Sequence, residues 1–271
     1  MANKCLQTKL KSVVDNDNLS KLGCISIIKK SVQSGFSVNL WFNIRSNAQF
    51  DATSRDSVFL DNAGASLGNT ITVPVRTEWD FPIRFGLGTG KFDIPKYSLL
   101  WIKTSYNQSD FEIKISDLQN IENLKEIELP LHGSLSDIKG LGNLTSFVAK
   151  SESTIYGDIA NFAKCPKLSK ISVSSPVSEQ SVYGDIKDLG TLTSLTNIKF
   201  SAGSIGLSGS IEDFVHEQRN ATTPRVSCDG MTVNIFGSRV TFNGSNISAY
   251  ADRTLSWTAS TITYNGVTIE A

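Results

Sequence analysis

Four times between residues 115 and 200 the chain sets an apolar residue at every third position, then shortens the final step to two. The first run is Ile115, Leu118, Ile121, Leu124, Ile127 and Leu129, and the second is Leu135, Ile138, Leu141, Leu144, Phe147 and Ala149. The third is Ile159, Phe162, Cys165, Leu168, Ile171 and Val173, with cysteine serving as a small apolar residue. Ile186, Leu189, Leu192, Leu195, Ile198 and Phe200 make the fourth, and a fifth begins at Ile211 and Phe214 and stops. Steps of three suit a 3₁₀-like turn, and a closing step of two suits a short strand. A single coil of this kind cannot bury its own apolar row, so several must stack to share one core.

A Gly-x-Ile/Leu signature precedes four of the runs, at Gly133, Gly157, Gly184 and Gly209, with spacings of 24, 27 and 25 residues. These glycines choose between two alignments. The strings "DIKGLGNLTSF" (Asp137 to Phe147) and "DIKDLGTLTSL" (Asp185 to Leu195) are nearly identical. Aligning them by identity breaks the glycine anchors; keeping the anchors offsets the strings by three residues, one apolar step. The anchored register is preferred. After the last glycine, "SIEDFVHEQR" reads as a closing helix, with Ser210 as N-cap, acidic residues in its first turn and Arg219 near its end.

The period and the glycine signature resemble the leucine-rich repeat family, in its Gly-x-Ile variant, over about residues 111–219. The resemblance implies a short solenoid of four to five coils with a capping helix. One departure stands out. The asparagine expected three positions after each final strand residue is replaced by His132, Glu152, Pro176 and Gly203. Loop carbonyls that an asparagine ladder would serve need other partners, and looser coils are expected.

Residues 1–109 do not repeat. "SVNLWFNI", "DSVFLDN", "NTITVPVRTEWDFPIRFGLG" and "KYSLLWIKT" read as strands, with Pro74 and Pro82 pushing theirs to edges or bends. A β-rich, antiparallel N-terminal domain is expected there, with a helix or arm in the first thirty residues. Residues 110–222 hold the repeats and cap. In residues 223–271, Asn243-Gly244 and Asn265-Gly266 predict tight hairpins, since both central positions need positive φ. A further hairpin is expected through Gly237, and this module is expected to pack on the end of the repeats or on another subunit. The fold class is mainly β.

Composition narrows the function. Lys plus Arg and Asp plus Glu both number 26, which argues against a nucleic-acid partner. No run of 18 apolar residues suggests membrane insertion, and the start lacks the apolar core of a secretory signal. The scattered Cys5, Cys24, Cys165 and Cys228, with only His132 and His216, do not spell a metal site. "FGLGTG" (Phe85 to Gly90) has the wrong spacing for a phosphate loop, and "DNDN" (Asp15 to Asn18) lacks the rest of a calcium loop. Neither histidine neighbours a nucleophile motif. No cofactor, metal or catalytic residue is assigned, and the chain is expected not to be an enzyme.

What the repeats offer is a surface. Strand residues between the buried positions point outward, one stripe per coil. They are Glu126, Glu128 and Pro130; Ser146, Val148 and Lys150; Lys170, Ser172 and Ser174; and Asn197, Lys199 and Ser201. Of these, Glu126, Glu128, Ser146, Lys150, Lys170, Ser172, Asn197 and Lys199 are the candidate binding residues, for a protein or glycan. The other possibility is that this face is merely solvated or covered by a neighbour. Exposed β-edges predict a homo-oligomer. The opening "MANKCLQTKLKSVVDNDNLSKLG" and the "YNGVTI" near the end resemble β-rich virion proteins of crAss-like bacteroidal phages. That resemblance implies a head fibre, decoration or tail fibre subunit, made in the host cytoplasm, localised to the virion and contacting other virion proteins. The competing class is a bacterial leucine-rich repeat binding module, at the cell surface or inside the cell.

Overall fold

Each step of three brings the next apolar side chain to the same side of a tight turn, and the step of two ends in an extended segment that hydrogen-bonds its neighbour. A computed structural model describes strand backbone within residues 22–103. It further describes residues 111–271 except 120, 122–123, 152, 175–181, 202–204 and 248–252, with side chains from residue 113 onward save that of residue 205.

The chain is mainly β, in several sheets. The first strands are β1 (Leu22–Lys29), β2 (Phe36–Ile44), β3 (Ala48–Asp51), β4 (Ser57–Leu60) and β5 (Ser66–Gly68). They continue with β6 (Thr70–Val73), β7 (Arg76–Phe85), β8 (Lys91–Pro95) and β9 (Leu99–Lys103). From there the chain alternates between two sheets. To one it adds β11 (Glu126–Leu129), β13 (Ser146–Ala149), β15 (Lys170–Val173), β17 (Asn197–Phe200) and β19 (Cys228–Ile235). To the other it adds β10 (Phe111–Lys114), β12 (Leu131–Ser134), β14 (Thr154–Asp158), β16 (Val182–Asp185) and β18 (Ile205–Ser208). Last come β20 (Thr241–Phe242), β21 (Ser245–Asn246), β22 (Thr254–Trp257), β23 (Thr261–Tyr264) and β24 (Val267–Glu270).

The first set forms a parallel ladder that starts at β9 and stays in register: Ile127, Phe147, Ile171, Ile198 and Val233 lie side by side. We call it the front ladder. Its partner, the back ladder, runs in parallel from β10 to β18. The apolar steps alone predict one strand per coil. There are two, and the additional strands are the segments around the glycine anchors. Their mark is an apolar residue two places before each glycine: Leu131, Ile155 and Leu207 are fully buried, as is Val182.

The register question has a definite answer. Phe147 pairs through Ile171 to Ile198, an offset of 51 residues, whereas alignment by identity demands 48 and would set Phe147 beside Leu195. Every apolar residue of the four runs is buried, none more than 1% exposed. All four anchor glycines have positive φ, from +96° to +132°, a region that residues bearing a Cβ rarely adopt. After each comes a capping side chain. Ser134, Asp158 and Asp185 accept a bond from the backbone N–H two residues on (3.1, 2.9 and 3.0 Å), opening 3₁₀ turns at Leu135, Ile159 and Ile186. Ser210 caps the closing helix Ile211–Asn220 through Asp213 N at 3.1 Å.

Residues 228–271 do not sit apart. β19 joins β17 in parallel, and Arg239 N and Thr241 N donate to the Leu207 and Gly209 carbonyls of the back ladder at 2.8 and 2.9 Å. The expected hairpin through Gly237 is absent: β19 pairs with β17 and with β22, which continues into β23 and β24. Hydrogen-bonding groups on the open side of β17 explain this, because burying them unpaired costs more than forming a local turn returns. Both Asn-Gly hairpins do form, with φ of 47° and 71° at residues 243 and 244, and 49° and 76° at 265 and 266. Pro82 lies inside β7, paired with β2 on one side; β4 covers only residues 83–85 on the other. Pro74, "DNDN" and Gly86 to Gly90 lie outside the described residues; the strand Lys91–Pro95 follows that glycine stretch.

Candidate functional site

Alternation along a strand sends every second side chain of the front ladder away from the core. In-register pairing then turns the outward positions into rows. One row reads Glu126, Ser146, Lys170, Asn197 and Thr232; the next reads Glu128, Val148, Ser172, Lys199 and Asn234. Seven of the eight candidate residues therefore lie on one sheet face, and the eighth, Lys150, follows the end of β13 and reaches that face through Glu128. Neighbours in a row are about 4.8 Å apart, and neighbours along a strand about 7 Å.

Not every outward position is open. Pro130, expected outward, is buried between β11 and β12, where its carbonyl accepts from Ile113 N at 3.0 Å. Ser172 retains only 7% exposure because Val148 and Lys199 flank it in its row. Lys170 and Lys199 are exposed, while Glu126, Glu128, Ser146, Lys150 and Asn197 are half-buried.

Charge divides the face. Glu126 and Glu128 stand on β11, and Lys150 reaches back to Glu128 at 3.4 Å. Among the described residues neither Lys170 nor Lys199 has a carboxylate partner. The β11 end is thus acidic and partly neutralised, and the β15–β17 end carries two uncompensated cations. At the far side, Asn234 accepts the Arg253 backbone N–H at 2.8 Å, which fixes its amide.

Two buried side chains serve backbone groups of neighbouring turns, a role that only the tertiary structure reveals. Ser153 is fully buried; its hydroxyl donates to the Lys150 carbonyl at 2.6 Å and accepts from Leu131 N at 3.0 Å. That single side chain serves the carbonyl that follows β13 and the N–H that opens β12. At the other end, the amide of buried Gln218 on the closing helix donates to the Gly190 and Leu192 carbonyls at 2.9 and 3.0 Å. Gly190 lets the helix come that close, since a Cβ there would overlap Glu217. Arg225 lies over the Trp257 ring, 5.2 Å from its centre, and Phe214 meets the same ring edge-on at 6.5 Å.

The remaining chemistry-bearing residues have structural settings. The Nδ1 of His132 bonds the Thr154 hydroxyl at 2.6 Å, and His216 sits on the exposed side of the closing helix beside Asn220. Burial pushes the Cys165 thiol up to about 12 and raises Cys228 as well, which suppresses thiolate chemistry at both. Asp188 is raised, first by burial and then by the like charges of Asp185 and Asp158. Among the described residues no group of three or more His, Cys, Asp or Glu could hold a metal ion, and no helix is long and apolar enough to cross a membrane.

No family model, no curated protein and no solved structure matches this chain.

Proposed function

We propose that the protein is a non-enzymatic recognition subunit of a bacteriophage particle, a head fibre, decoration or tail fibre protein. In this reading residues 110–222 form a leucine-rich repeat solenoid of the Gly-x-Ile type. Residues 1–109 form an attachment domain, and residues 223–271 close the far end. The observation that carries the reading is the front ladder itself: five strands in strict register, offering two polar rows on a rigid support. Sites built on strands hold their geometry better than sites on loops. The positive-φ glycines and their caps support the repeat assignment, and the likeness of the chain ends to virion proteins supports the particle. Partners are other virion proteins or further copies of this chain, together with a protein or glycan on the host surface.

Gradient sedimentation of a lysate from the source, followed by peptide mass spectrometry, tests this. The expected result is banding with DNA-filled particles at a fixed ratio to the major capsid protein. Recovery only in soluble or envelope fractions would overturn the particle assignment and leave a cellular binding module.

A further inference from the structure

The two uncompensated lysines stand on a diagonal. Lys170 neighbours Asn197 in its row, and Ser172, two residues along the same strand, neighbours Lys199 in the next. Diagonal positions in a sheet lie about 7–8 Å apart at the backbone, so two flexible lysine stems can converge on one group above the Ser172–Asn197 diagonal. Ser172 is 7% exposed, yet its hydroxyl has no hydrogen-bond partner among the described residues. Because Ser172 Oγ is not among the fully buried groups left without a partner, its hydroxyl opens onto this face, between two lysines with no carboxylate partner among the described residues, and is free to donate to an acceptor placed there.

We propose that Lys170, Lys199, Ser172 and Asn197 form a subsite for a compact oxyanion, a sulfate, phosphate or carboxylate, carried on a polysaccharide. This rests on the front ladder being a recognition surface, the reading given above, and it supplies the chemical class of ligand. The two ammonium groups balance the charge, the Ser172 hydroxyl donates to one oxygen, and the Asn197 amide donates to the anion or to a neighbouring sugar hydroxyl. Three features select a glycan. The exposed large apolar residues among those described are Tyr183, Val226 and Val267, none on this face, so the apolar or aromatic anchor of a protein interface is missing. Glu126 and Glu128 lie two strands away on the same face, so the cationic area is confined to β15 and β17 and is not the extended basic stripe that a nucleic acid calls for. Ser146, Ser174 and Ser201 flank the lysines with hydroxyls suited to a hydroxyl-rich ligand.

Binding of the full chain to immobilised dextran sulfate, with unmodified dextran beside it, tests the proposal. Expected is salt-sensitive binding to the sulfated polymer alone. K170Q and K199Q each weaken it about tenfold or more, since hydrogen bonds to charged groups are the strong ones. Ser172→Ala should weaken binding while leaving the urea midpoint unchanged. Lys187→Gln, beside Asp185 in the turn after the back ladder, should bind as the parent does. Polygalacturonate in parallel shows whether sulfate or carboxylate is preferred, and a preference for either that K170Q/K199Q abolishes upholds the subsite; tighter binding to polyphosphate than to both glycans overturns the choice of a glycan. Parent-like binding by K170Q/K199Q, an equal loss from Lys187→Gln, or binding to none of the polyanions overturns it. The gradient experiment reads separately, because a chain absent from particles can still hold the anion.

Discussion

The glycine column supplies its own controls. Gly133, Gly184 and Gly209 occupy equivalent places with φ of +116°, +132° and +96°, yet a methyl group would meet different surroundings at each. At Gly133 nothing lies within 4 Å of where a Cβ would stand. At Gly184 the same atom would come 2.6 Å from Asp158 Oδ1 and 2.8 Å from Ile159 Cγ1, both in the coil before. At Gly209 it would fall inside the Asp185 carboxylate. Gly133→Ala therefore isolates the backbone term, about 1–3 kcal/mol for a side chain held at positive φ, less roughly 0.4–1 kcal/mol from the stiffer unfolded chain. Gly184→Ala adds overpacking against the buried Ile159, about 1–3 kcal/mol more. Gly209→Ala displaces a carboxylate that caps a turn through Lys187 N at 3.0 Å, adding about 1 kcal/mol for the lost cap. The order of destabilisation should be Gly133 below Gly209 below Gly184, read from urea midpoints at constant slope. Asp185→Ser keeps a capping oxygen on a shorter arm, so D185S/G209A should cost less than the sum of its singles. Equal losses at Gly133 and Gly184 would refute the contact between coils, and a neutral Gly184→Ala would refute the register.

Three further outcomes follow from the same structure. Gln218→Leu strands the Gly190 and Leu192 carbonyls and should destabilise by roughly 1–3 kcal/mol for each, measured by thermal or urea unfolding. Cys165 should resist alkylation by a maleimide at pH 8 in the native protein and react on unfolding, as its burial and thiol pKa of about 12 require; peptide mapping reads this, and prompt native labelling would contradict it. Asp188 has a folded pKa above the ordinary 3.8, so the folded state holds its proton more tightly and stability declines as pH rises from 3.8 through the raised value. Asp188→Asn should remove that decline, so the gap in urea midpoint between variant and parent should open in the variant's favour as pH increases through that window.

Much of the central fold was legible because it is written in short-range terms. Apolar steps of three and two, a glycine where no Cβ fits, and a serine or aspartate directly after it each act within a few residues. The four 3₁₀ and helix starts, the strands β11, β13, β15 and β17, and both Asn-Gly turns follow from such rules. The outward face of the candidate site came from the same alternation. Its charge pattern did not: that Lys150 is paired with Glu128 and Lys170 is not depends on which side chains meet across strands.

What the chain alone determined is therefore the coil: its length, its buried row, its glycine and its cap. The tertiary structure decided what the coils do to one another. The back ladder, the parallel docking of β19 on β17, and the bonds from Ser153 to Leu131 and from Gln218 to Gly190 all join residues 18 to 35 positions apart. Backbone N–H and C=O groups are the same at every residue, so a strand edge or a loop carbonyl leaves no mark in the sequence of the partner that will satisfy it. Only the packed chain shows which partner that is.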